Sequence, residues 1–240
     1  MQERIGDPGR DGSPDPRKAP PFMLSYARPT RGTGADLGPI KKFFDDLGEE
    51  IGYITPALKQ AESAGFDQEM PLGTEWQRRL AYYLAHCRVL VPLLSPPFFE
   101  SEWCGKEWWV FSRRRVVTRA PLKDDEQAVV PVIWVPVPSG GMHPLVQRLQ
   151  YTNRYLPASY TRDGLLALSR RDGRDPDYRM AVNHIATRIS ELMEHSTVER
   201  GRPVNLATAP NAFAAVKGQP TWDHVRFWHE EDRPERPVQA

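Results

Sequence analysis

The chain has little cysteine, no surplus of either charge and no long apolar run, and each shortage closes off a class of protein. Its two cysteines, Cys87 and Cys104, are too few for a disulfide framework or a cysteine-rich zinc site, and no metal centre is expected. Against 31 Asp and Glu stand 32 Lys and Arg, a formal net charge of +1, so no global field draws the chain to nucleic acid or to a membrane surface. The most apolar stretches, RVLVPLLSPPFF and AVVPVIWVPVP, fall well short of the roughly 20 residues a bilayer crossing needs, and proline interrupts both. The opening MQERIGDPGRDGSPDPRK is polar and lacks an apolar signal core. The expected compartment is the cytoplasm.

What is present suffices for one sizeable domain with tails: 240 residues, 40% of them hydrophobic. Residues 1–19 are rich in Gly, Pro, Asp and Arg with almost nothing to bury, and are expected to be disordered. From 196 to 240 the chain turns polar and proline-bearing again, which reads as a tail or linker and leaves 20–195 as the folded body. Trp222, Phe227 and Trp228 stand out in that tail. They fit a segment docking on the domain, an interaction motif, or the start of a further domain.

Within the body, strand-like runs alternate with helix-like ones. Pro21 to Tyr26 reads as a buried strand, and Ile40, Phe43, Phe44, Leu47 and Ile51 then recur at helical spacing. Thr74 with Gln77 gives a capping-box start to a helix lined by Trp76, Leu80, Tyr83 and Leu84. Arg88 to Leu94 is apolar on both faces, as a strand inside a parallel sheet would be. A helix over SEWCGKEWWVFSRRR follows, capped by Ser101, with Arg113, Arg114 and Arg115 complementing the dipole at its end. Ala128 to Val135 is the next strand, with Pro92 and Pro131 expected at strand ends or bulges because proline removes a ladder donor. Met180, Ala181, His184, Ile185, Arg188, Ile189 and Leu192 define the stripe of a closing helix. This alternation predicts an α/β fold, an open parallel sheet with helices on both faces.

Such a sheet binds ligands beyond the carboxyl ends of its strands. A phosphoacceptor receiver would need acidic residues directly after the first strand, but Asp45 and Asp46 lie inside the first helix. A flavodoxin-type phosphate loop would need hydroxyls and amides there; RPTRGTGA, residues 28–35, carries Pro29 and two arginines and reads as an ordinary loop. Four segments match another pattern in order and spacing: FMLSYAR at 22–28, FDQEMPLGTEW at 66–76, CRVLVPLLSPPFFESEWCGKEW at 87–108 and VVPVIWVPV at 129–137. They resemble the consecutive boxes of a Toll/interleukin-1 receptor (TIR) domain. Ser95, Phe98, Phe99, Ser101, Trp103, Cys104 and Glu107 carry the most specific of them. Within the family the chain is most similar to the bacterial TIR-like proteins called FxsC, found beside enzymes that modify small peptides.

The resemblance implies a flavodoxin-like TIR domain with a five-stranded parallel sheet over 20–195. In many members it also implies cleavage of NAD at the nicotinamide–ribose bond, with NAD as substrate rather than cofactor. The glutamate those enzymes depend on corresponds to Glu107, and the neighbouring boxes place Ser25, Tyr26, Arg28, Trp103 and Cys104 as substrate-binding residues. On a helix Glu107 lies one turn beyond Trp103 and Cys104, so the three share a face. FDQEMPLG corresponds to a loop that commonly makes assembly contacts, so Asp67, Glu69, Pro71 and Gly73 are expected to gate the pocket or to bind another TIR surface. The implied partners are further TIR copies or another protein. Two departures border the site: the second strand is reduced to ESAGF, and a Pro-, Gly- and Thr-rich segment follows the first. An NAD-cleaving enzyme and a non-catalytic recruiting module therefore both remain open.

Overall fold

The computed structural model describes residues 20–28, 36–56, 74–123, 126–138, 140–149, 152–171 and 175–214. Its elements are β1 (Phe22–Ser25), α1 (Gly38–Ile54), α2 (Thr74–His86), β2 (Val89–Leu94), α3 (Pro96–Glu100) and α4 (Glu102–Ser112). After them come β3 (Val116–Thr118), β4 (Val132–Ile133), α5 (Pro144–Gln147), α6 (Ala158–Ser169), α7 (Pro176–His195) and β5 (Ser196–Val198).

Three strands form a parallel sheet in the order β1-β2-β4, with Phe22 opposite Val89 and Leu93 opposite Val132. Alternating side chains divide the interior. Phe22, Leu24, Val89, Val91 and Leu93 enter a core shared with α1, α6 and α7; Met23, Leu90 and Leu94 enter a second core with α2, α3, α4 and α5. Helices thus cover both faces of the sheet, the α/β flavodoxin-like architecture. The sheet is narrower than the expected five parallel strands: among the described residues it has three, and β3 and β5 form a separate antiparallel pair. The stretch expected as the second strand, ESAGF, lies outside the described residues.

The two prolines explain why the strand expected over 128–135 shortens to Val132–Ile133. Leu90 and Leu94 both bond toward β4: Leu90 accepts from Val130 N–H and Leu94 from Trp134 N–H. Alternation puts Pro92 on that same side between them, and Pro131 interrupts the partner strand opposite. The ladder survives as a bridge at Leu90–Val129 and a short segment at Leu93–Leu94; Pro92, expected at a strand end or bulge, lies inside β2 and has no N–H to give toward β4.

Helix ends follow the side chains that satisfy them. Ser101 caps α4, its hydroxyl accepting from Cys104 N–H at 3.3 Å. Asp175 caps α7 by accepting from the N–H groups of Asp177 (2.8 Å) and Tyr178 (3.0 Å). Arg114, just beyond the end of α4, donates to the carbonyls of Leu84 at 3.0 Å and Cys87 at 2.5 Å, closing the end of α2. In α7 the buried stripe is Ala181, Val182, Ile185, Ala186, Ile189, Leu192 and Met193. Met180, expected in it, is exposed; His184 pairs with Asn153, and Arg188 reaches Glu126 at 2.5 Å. Two helical segments meet within α6 at Gly164, whose positive φ of 78° and close approach to the Trp134 carbonyl leave no room for a side chain.

Packed structure continues past residue 195. Ser196–Val198 pair with Val116–Thr118, Gly201 N–H donates to Ala85 O at 2.9 Å, and Leu206, Ala212 and Phe213 are buried. Phe213 sits within ring-centroid distances of 5.2 to 5.7 Å of His143, Phe99, Phe98 and Trp108. Trp222, Phe227 and Trp228 lie outside the described residues.

Candidate functional site

Strand alternation decides what lies beside α4. Met23 belongs to the α4 side of the sheet, so Ser25, two residues further along β1, faces the same way. Its hydroxyl donates a hydrogen bond to Glu107 Oε2. Both residues are buried, Ser25 at 1% exposure and Glu107 at 7%. A carboxylate so far from water is costly unless hydrogen bonds replace its hydration, and the Ser25 hydroxyl supplies one. The Cys104 thiol lies beside the pair, one turn before Glu107 on α4. Burial, and then the adjacent Glu107 charge, push that thiol far above its ordinary range, so it stays protonated and is a poor nucleophile.

A second group lies on the neighbouring turn. Trp103 meets Trp76 of α2 edge-on, centroids 5.0 Å apart, and the Arg28 guanidinium lies 4.6 Å from the Trp76 ring centre. Lys106 is buried over Trp103, its ammonium 5.4 Å from the ring centre, 2.6 Å from Glu102 and 3.2 Å from the Ala207 carbonyl. The Glu102–Lys106 order suits an i,i+4 pair on a helix.

The structure therefore brings Ser25, Cys104 and Glu107 together at the carboxyl end of β1, and joins Arg28 to Trp103 through Trp76. Tyr26 is placed differently: its ring belongs to the core on the α1 and α7 side of the sheet. Asp67, Glu69, Pro71 and Gly73 lie outside the described residues. The sequence pattern gave no role to Trp76 beyond a helix face, nor to Lys106; their significance depends on contacts between elements distant along the chain. Among the described residues no group of three His, Cys, Asp or Glu could hold a metal, and no helix is long and apolar enough to cross a membrane.

A parallel α/β sheet with a buried carboxylate beside the carboxyl end of its first strand defines a class of ligand-binding or signalling domain rather than one activity. The family is more specific. A TIR-domain family model matches residues 22–163, more than half of the chain's 240 residues, and the chain belongs to the TIR domain family. No curated protein matches the chain in sequence comparison.

Proposed function

We propose that this TIR domain is a bacterial signalling protein that cleaves NAD at the nicotinamide–ribose bond when it self-associates. The observation that supports the reading most is the carboxylate of Glu107, inside the family's most specific box, buried at the carboxyl end of β1 against Ser25. In the reaction the bond between ribose C1′ and the nicotinamide nitrogen breaks. Its electron pair leaves with neutral nicotinamide, and positive charge develops over C1′ and the ring oxygen. A fixed carboxylate in a poorly screened site stabilises that charge until a nucleophile, water in hydrolysis, adds to C1′ and gives up a proton. Arg28 and Trp103 are the residues we assign to substrate binding, and the loop carrying Asp67, Glu69, Pro71 and Gly73 to assembly.

The test is nicotinamide release from NAD by the purified full chain, with and without a crowding agent to promote assembly. Glu107→Gln keeps shape and removes charge, and is expected to lower turnover about a hundredfold or more, about 3 kcal/mol in barrier, while the melting temperature moves little. Full activity in that variant would exclude the assignment. The second-strand segment reduced to ESAGF, which borders the site in sequence, favours a second reading, a non-catalytic FxsC-type module that recruits a protein partner such as peptide-modifying machinery. Wild-type protein that releases no nicotinamide under any assembly condition would select it.

A further inference from the structure

We infer that Ser25 is a positioning residue for Glu107 rather than a substrate-binding one, an inference that rests on the proposed role of Glu107. The Ser25 hydroxyl sits at the last position of β1 and is 1% exposed, too buried to meet a substrate without displacement of its surroundings. Its proton is committed to Glu107 Oε2. Strand β1 is locked in parallel register to β2, with Ser25 opposite Pro92, so the donor is fixed on the sheet while the acceptor is carried by α4. The hydrogen bond ties the helix to the strand and fixes which carboxylate oxygen faces the sheet.

Lys106, next to Glu107 in sequence, is turned toward Glu102 and the Ala207 carbonyl. Cys104, one turn before Glu107 on α4, remains a neutral thiol. A hydrogen bond to the ionised form of a carboxyl favours that form. Ser25 thus does two things for Glu107: it holds one oxygen in place and favours the negative charge.

The experiment compares wild type, Ser25→Ala and Ser25→Cys in the full chain. Glu107 is followed by carbon NMR of labelled glutamate, its signal assigned by its loss in Glu107→Gln, and nicotinamide release is measured alongside. In Ser25→Ala the Glu107 titration midpoint is expected to rise by about one pH unit or more. The acid limb of activity should move with it, kcat should fall at least about tenfold, and KM should change less than about twofold. Ser25→Cys, close in volume with a weak donor, should lie between, and carries the test if the alanine variant does not fold. An unmoved Glu107 midpoint in either folded variant, or a raised KM at unchanged kcat, overturns the inference. The NMR arm needs no turnover: an inactive wild type would sink the proposed reaction, whereas an unmoved midpoint would sink the role of Ser25.

Discussion

The two thiols differ in what surrounds them and agree in what they can do. Cys87 and Cys104 are unbridged and buried. Burial pushes Cys87 up to about 11, against the opposing pull of the Arg114 guanidinium beside it, and Cys104 is pushed further up. Since the thiolate is the reactive form, a disulfide reagent at pH 8 should label neither cysteine in the native protein and both after denaturation; fast native labelling would contradict the burial. The same shifts set the alkaline limit. Both thiols keep their protons in the folded state at pH values where the unfolded chain, titrating near 9.0, has released them. Stability is whole below that value and is expected to fall above it, by about 1.4 kcal/mol per pH unit for each thiol, through the range in which the native groups stay protonated. Urea midpoints at pH 7, 9 and 10 would show the decline.

Helix α4 shows which part of an element the sequence makes legible. Its start was readable because a serine N-cap is a local device, and Ser101 does cap it. The roles of its tryptophans were not, because they depend on elements far away in sequence. Trp108 is fully buried against Phe213, whereas Trp103 is half-buried against Trp76. Trp108→Ala is expected to cost about 3–5 kcal/mol, and Trp103→Ala clearly less, with melting temperatures falling in that order; the reverse order would mean that Trp103 carries the packing. The same contrast holds elsewhere. The α1 face of Ile40, Phe43, Leu47 and Ile51 follows from periodicity alone. Periodicity also gave most of α7, but it could not show that Met180 faces outward, since an exposed methionine is as compatible with helical spacing as a buried one. Strand β4 is shorter than the expected 128–135 because Pro92 and Pro131 interrupt the ladder from both sides, an effect that depends on how the two strands pair.

At the scale of the whole molecule, the segment from Glu199 to Ala214 acts as a strap. It lies beyond the family match, which ends at residue 163, yet it closes over the helix that carries Glu107. Arg114 donates to the Glu199 carbonyl at 3.0 Å, Ala212 N–H donates to Gly105 O at 3.1 Å, and Asn211 Oδ1 accepts from Phe213 N–H at 2.9 Å. Three apolar anchors, Leu206, Ala212 and Phe213, are too sparse to form any periodic pattern, so the segment reads as a polar tail in sequence. Gly105 makes the strap testable. A Cβ at that position would lie 1.7 Å from Asn211 Oδ1 and 3.3 Å from Ala212 N, and Asn211 cannot swing away without releasing Phe213 N–H. Gly105→Ala should therefore lift the strap even though alanine favours the helix. Amide exchange at Ala212 and Phe213 is expected to accelerate well before exchange at Val91 in the sheet, because local opening costs less than global unfolding. Phe213→Ala should open the same amides by emptying the aromatic cluster, at a cost of about 3–5 kcal/mol. If both variants left the Ala212 and Phe213 amides as protected as in the wild type, the strap would not be what seals α4. Its hydrogen bond to Gly105 would then be incidental to a helix held by the rest of the domain.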